Sequence, residues 1–167
     1  HVSALEPVKR HGEPPALIPC LDAADEIRKI REAIRCFRTG KNVSLGIILK
    51  TDAAAKDMYE VLAGYDGVEE NQVEENQVEG NGEEACDISL LTRESTSFQN
   101  GISITSVRMS KGLEFDEVLI PQADCRTYTS DFDRGLLYIA CTRAMHRLTL
   151  TYSGKETEFI SGQPPFL

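Results

Sequence analysis

ISITSVRMSKGLEFDEVLI, residues 102–120, contains two short strand candidates, Ile102 to Val107 and Glu117 to Ile120, on either side of a charged turn. β-Branched and large aliphatic residues in runs this short read as buried strands. Between them lie Arg108, Ser110, Lys111 and Glu114, with Gly112 to allow a tight backbone path. The same grammar returns at Leu136 to Ala144, LLYIACTRA, where the apolar end of a helix expected over Asp131 to Thr142 delivers Arg143. A last strand is expected over Leu148 to Tyr152. Working back toward the N-terminus, Ile88 to Leu91 and Ser44 to Leu49 read as strands. A helix capped by Asp52 has Ala55, Met58, Tyr59 and Leu62 as its inner face and Gly64 as its stop. A longer helix over Asp22 to Thr39 places Ala23, Ile27, Ile30, Ile34 and Phe37 at helical spacing, with Asp22 as cap and Gly40 as stop. Strands alternating with helices imply an α/β domain, a mostly parallel sheet with helices on both faces. Ligands of such sheets meet the carboxyl ends of the strands, and this rule places Arg108, Ser110 and Lys111 at the sheet edge.

A chain of 167 residues with 41% hydrophobic content is the size of one domain and can bury a layered core. We therefore expect residues 1–167 to form a single domain, with residues 1–20, rich in proline, as an extended connective lead-in. No apolar run approaches the ~20 residues that cross a bilayer, and nothing at the start reads as a secretory signal. Five cysteines without Cys-x-x-Cys spacing suggest reduced thiols and a cytoplasmic setting, and the three scattered histidines do not suggest a metal site. The net charge of −9 is concentrated: ten acids and one base, Arg93, fall between Asp66 and Glu94, and the rest of the chain is balanced. Within that stretch Glu70-Asn71-Gln72-Val73-Glu74 repeats unchanged as Glu75 to Glu79. So polar a repeat has too little apolar surface to fold alone, and residues 66–87 read as a solvated acidic loop, with an acidic docking arm as the alternative.

Lys111-Gly112-Leu113-Glu114-Phe115 and Tyr138-Ile139-Ala140-Cys141-Thr142-Arg143-Ala144, in this order, resemble motifs V and VI of the UvrD/Rep family of superfamily I DNA helicases. The family-like block runs from about Ser89 to Leu150. The resemblance implies a RecA-like fold and the C-terminal half of an ATP-driven motor translocating 3′ to 5′ on single-stranded DNA. It further implies that Glu114 accepts a hydrogen bond from the nucleotide ribose, with Gly112 and Lys111 beside it. Ser106, Arg108 and Ser110 would face the DNA, although Ser106-Val107-Arg108 stands where many members have Thr-x-His. Arg143 would be the catalytic arginine that reaches the γ-phosphate, with Thr142 orienting it and Arg134 as a second interfacial base. The alternative for Arg143 is a helix-end arginine paired with the helix dipole or with Asp133. For the loop, Leu113 and Phe115 are core in the alternative reading, and the charged residues merely cap a turn.

A motor of this kind needs a Gly-rich loop ending in Gly-Lys-Ser/Thr to cradle phosphates. The chain has none: Lys111-Gly112 reverses the order, and Arg108-Met109-Ser110 precedes it. The acidic magnesium motif has no counterpart either. The resemblance thus implies ATP with magnesium as cofactor, the magnesium held mainly by an N-terminal RecA-like domain of the same protein. The present chain would complete the ATP site, an expectation with which the initial His1 accords. Leu49-Lys50-Thr51 stands where the family often has aromatic-Arg-Thr, which leaves a nucleotide role open for Lys50. The short spacing between Lys50 and Leu91 resembles helicase IV and HelD-type relatives, and this raises RNA polymerase as a rival partner. A degenerate helicase-like scaffold is the third reading.

Overall fold

The computed structural model describes residues 13–63, 88–95 and 100–161. In chain order the elements are β1 (Ala16–Cys20), α1 (Ala23–Thr39), β2 (Ser44–Leu49), α2 (Asp52–Leu62), β3 (Ile88–Leu90), β4 (Gly101–Ser106), β5 (Phe115–Ile120), α3 (Asp131–Cys141) and β6 (Ala144–Ser153). The strands form one sheet in the order β1-β6-β5-β2-β4-β3, and every pairing between them is parallel.

β2 sits inside the sheet and is buried at every position, which is why its sequence is a continuous apolar run and not an alternating one. Leu45, Ile47 and Leu49 point to one face, where they pack with Ile30, Ile34 and Phe37 of α1 and Ala55, Met58 and Leu62 of α2. Ile48 points to the other, into a core shared with Phe115, Val118 and Ile120 of β5, Leu137 and Ala140 of α3, and Leu148 and Leu150 of β6. Helices therefore cover both faces, as the alternating pattern predicts.

Local chemistry sets the helix boundaries. The Asp22 carboxylate accepts from the Asp25 N–H at 2.8 Å to open α1, and the Gly40 N–H closes it on the Phe37 carbonyl at 3.0 Å. α2 is capped by Thr51, whose hydroxyl accepts from the Ala54 N–H at 3.1 Å. The expected cap, Asp52, is instead the first helical residue, because Thr51 already has the extended backbone that a cap requires. In α3 a capping box joins Ser130 and Asp133.

Two other expectations are corrected. Residues 16–20, expected to be connective, form β1, which pairs with β6 from Ala16↔Thr149 to Cys20↔Ser153; Pro19 is tolerated there because β1 is an edge strand. The last strand is longer than expected and starts at Ala144, directly after Arg143. The acidic segment 66–87 and the lead-in up to residue 12 lie outside the described residues.

The connection from β4 to β5 steps over β2, and residues 107–114 make it without a helix. Parallel strands ordinarily need a crossover of a dozen or more residues, usually helical. Here successive turns suffice: the Ser110 N–H bonds the Ser106 carbonyl at 2.9 Å, and the Leu113 N–H bonds the Ser110 carbonyl at 3.0 Å. Gly112 has φ of +80°, and no atom lies within 4 Å of where its Cβ would be, so the backbone angle, not crowding, calls for glycine.

Candidate functional site

Because all the strands are parallel, the chain offers two chemically distinct edges, and the motif residues divide between them. At the carboxyl edge, register places Leu49 opposite Ser106, so the residues that follow β2 and β4 meet. The Ser106 hydroxyl donates to Asp52 Oδ1 at 2.5 Å, and the Arg108 guanidinium pairs with the other oxygen of the same carboxylate. Both donors stabilise the ionised form, the Ser106 bond foremost, and hold the Asp52 carboxyl below its ordinary range. The Met109 N–H donates back to Ser106 Oγ at 3.2 Å. A cleft of about 390 Å³ opens beside them, with Ala55, Leu91 and Met109 among its apolar walls and Lys56, Arg93 and Arg108 among its charged ones.

Ser110, expected to face DNA, is fully buried, and its hydroxyl donates to the Val107 carbonyl at 2.7 Å. The turn that shortens the crossover turns this side chain inward, so it supports the loop from below. Ser106 is also buried, and only through its Oγ does it reach the edge. Arg108 is exposed.

The loop then runs the length of the strands to the amino edge and delivers Glu114 at the start of β5. α3 returns to the same edge and leaves Thr142 and Arg143 at the start of β6. The Phe115 N–H donates to the Arg143 carbonyl at 2.9 Å, which locks the two motifs together. The half-buried guanidinium of Arg143 is held from three sides. Its Nε donates to the Ile139 carbonyl at 3.2 Å, Nη1 to the Leu113 carbonyl at 3.4 Å, and Nη2 to Thr142 Oγ1 at 3.2 Å. Thr142 is itself fixed by its bond to the Ile139 carbonyl at 2.7 Å. A guanidinium carries five N–H groups, so donors remain on the Nη atoms. Among the described residues no carboxylate forms an ion pair with Arg143, and the side chains of Glu114 and Lys111 are exposed and without a hydrogen bond. The rule that places ligands at the carboxyl ends therefore covers only part of the motifs: Glu114, Thr142 and Arg143 lie at the opposite edge from Ser106 and Arg108.

Asp133, the acid considered as a partner for Arg143, belongs to Lys50. Lys50 Nζ lies 2.9 Å from Asp133 Oδ1, donates to the Thr127 carbonyl at 2.6 Å, and stands 5.9 Å from the centre of the Tyr128 ring. The Thr129 and Ser130 N–H groups donate to the other carboxylate oxygen at 2.8 and 3.2 Å. Lys50 first, and then these backbone donors, hold the Asp133 carboxyl far below the usual range. Lys50 is thus engaged in joining β2 to α3, and no nucleotide role is assigned to it.

Residues 101–151 match the family model of the UvrD-like helicase C-terminal domain. That span runs from the start of β4 into β6 and includes both edges. Among solved structures, the C-terminal domain of a possible DNA helicase from Lactobacillus plantarum WCFS1 superposes with a TM-score of 0.70 at 22% identity, covering 92% of this chain and 83% of that one. The likeness reaches well beyond the matched segment and speaks for the fold. No curated protein matches the chain by sequence.

No helix among the described residues is long and apolar enough to cross a membrane. Nor do three or more His, Cys, Asp or Glu side chains gather there in a group that could hold a metal ion. The sequence does not reveal Asp52 as the partner of both Ser106 and Arg108. Its only signal is an acid just after an apolar strand, which reads equally well as a helix cap.

Proposed function

We propose that the chain is the C-terminal motor domain of an ATP-dependent DNA helicase, a 3′ to 5′ single-strand translocase, in which one sheet edge completes the ATP site and the other grips the strand. The observation that carries this is the pairing at the amino edge: Arg143 and Glu114 are adjacent through the Phe115–Arg143 backbone bond at 2.9 Å, and neither side chain is neutralised by a partner among the described residues. A cation with spare N–H donors suits a polyphosphate, and a free carboxylate suits a ribose diol. ATP, when bound, supplies the phosphoryl group whose transfer to water drives the cycle. Arg143 contributes positive charge where negative charge develops, a role that can contribute ~10³ to 10⁵ in rate. Thr142, Ile139 and Leu113 hold its guanidinium, so little ordering remains to be done at that moment. Glu114 orients the nucleotide, and Gly112 and Lys111 complete the turn that presents it. The N-terminal RecA-like domain of the same protein supplies the phosphate cradle and the magnesium ligands.

The grip is assigned to Ser106 and Arg108 at the carboxyl edge. β4 and β5 are six residues long, so the two edges are ~20 Å apart. Closure of the nucleotide cleft can move the strand-facing edge because a sheet packed on both faces transmits displacement as a unit. The rival partner, RNA polymerase, has no support in the comparisons.

The test is Arg143→Ala in the intact protein. ATP turnover should fall by orders of magnitude while nucleotide-free affinity for single-stranded DNA is retained. Lys should rescue poorly, because an ammonium lacks the planar fork. Glu114→Ala should raise the Michaelis constant for ATP more than it lowers turnover. Near-normal turnover in Arg143→Ala would reduce this arginine to a helix-end residue, and the motor reading would be withdrawn.

A further inference from the structure

We infer that Asp52 is a built-in competitor for the phosphate site of the carboxyl edge, so that a nucleic-acid phosphate reaches Ser106 and Arg108 only by displacing this carboxylate. The inference deepens the reading of that edge as strand-facing and rests on it. Asp52 Oδ1 accepts from the Ser106 hydroxyl at 2.5 Å, and Oδ2 takes the Arg108 guanidinium. A carboxylate and a phosphate present the same kind of paired oxygens to the same donors, so only one of them can occupy this position at a time. The competitor is also poorly anchored. The Asp52 and Arg108 side chains retain 52% and 53% of their exposure, and ion pairs so open to water are weak and yield to a stronger anion.

The neighbouring cleft is suited to a single strand. Its apolar walls, Leu91, Met109 and Ala55, offer a surface for an unpaired base, and Lys56 and Arg93 add positive charge at the rim against Glu94 and Asp52. Swinging the Asp52 side chain aside leaves Arg108 free to pair with the backbone of a strand lying in the cleft. Asp52 thereby sets the affinity of this edge: it weakens non-specific capture at rest and makes binding depend on how well the strand replaces it.

The experiment measures binding of labelled oligothymidylate to the intact protein without nucleotide, over a range of salt, for wild type, Asp52→Asn, Asp52→Ala, Arg108→Ala and the Asp52→Asn/Arg108→Ala double variant. Removing the carboxylate should tighten binding roughly fivefold and steepen the dependence of log affinity on log salt by about one phosphate contact. Arg108→Ala should weaken binding, and in its background Asp52→Asn should give a smaller gain than in wild type, since the two side chains share one site and only Ser106 is then left to be freed. Thermal melting checks each fold, and Asp52→Ser replaces any variant that fails to fold. Unchanged or weaker binding in the Asp52 variants, with Arg108→Ala weakened, overturns the competitor and leaves the strand-facing reading intact. Unchanged binding in Arg108→Ala overturns both. Inorganic phosphate is the control: if it competes as well as the same concentration of strand phosphates, the site belongs to a free anion and not to a strand.

Discussion

Gly46 and Phe115 show how one residue of a motif can dictate another far away in the chain. A Cβ built on Gly46 would lie 2.6 Å from Phe115 Cδ2 and 2.8 Å from its Cε2 and Cγ, closer than real Cβ atoms come. Phe115 is fully buried, so its ring has nowhere to go. Gly46→Ala should therefore destabilise by about 1–3 kcal/mol through overpacking, beyond anything its strand propensity would suggest. A lowered urea midpoint at unchanged slope, partly restored by Phe115→Leu, is the expected result. A neutral Gly46→Ala would show that the ring moves freely. From the sequence, Phe115 is legible as core, because it ends an apolar pair beside charged residues. Gly46 reads only as a weak point in Ser44 to Leu49, since nothing local says which ring will cover it. Buried Glu26 was hidden in the same way. It lies on the inner face of α1 because the Thr151 hydroxyl at 2.7 Å and the Gln122 N–H at 2.8 Å meet it there, partners that only the fold brings together.

The link between Lys50 and Asp133 joins two elements, the end of β2 and the first turn of α3. Asp133 is buried, and its carboxyl is held well below its ordinary pKa, chiefly by Lys50 and by the Thr129 and Ser130 N–H groups. A carboxyl depressed in the folded state contributes stability that is fully present above the unfolded pKa of about 4 and is lost as pH falls through the folded value. Lys50→Met should thus cost about 1–3 kcal/mol at neutral pH, less than a fully buried pair because Lys50 is partly exposed. The gap between variant and wild type should narrow as pH falls below about 4, which denaturant titrations across that range would reveal. A gap independent of pH would mean that Lys50 acts by packing on Tyr128. At this scale the sequence is most legible: α1 and α2 with their apolar faces follow from periodicity, and the central strand from its continuous apolar run. What it could not tell was direction. Strand ends are where α/β ligands usually sit, and that rule puts the motif loop at one edge. An unusually short crossover carries Glu114 to the other edge, and no periodicity signals that.

For the whole molecule, the charge is divided between a balanced body and an acidic segment, and the groups we propose to face nucleotide, Glu114 and Arg143, share one edge. Shortening residues 69–84 to a few Gly and Ser should leave the melting temperature nearly unchanged, because halving a flexible loop changes its closure cost by only about 0.6 kcal/mol. A large loss would mean that the segment packs on the domain. Arg143 and Glu114 can address a phosphate and a ribose, but the sequence has no Gly-Lys-Ser/Thr loop to cradle the remaining phosphates, so this chain alone should bind Mg-ATP only weakly. With ligand at its dissociation constant, binding stabilises by only about 0.4 kcal/mol, roughly one degree in melting temperature for a domain of this size. A micromolar site at millimolar ATP would instead give about 4 kcal/mol and a shift on the order of ten degrees. Melting this chain with and without Mg-ATP separates the two cases by an order of magnitude. A shift of many degrees would mean that the phosphates find their donors within this chain. The division of labour between its two edges would then have to be redrawn around whichever residue, Arg143 or another, abolishes that shift when replaced by Ala.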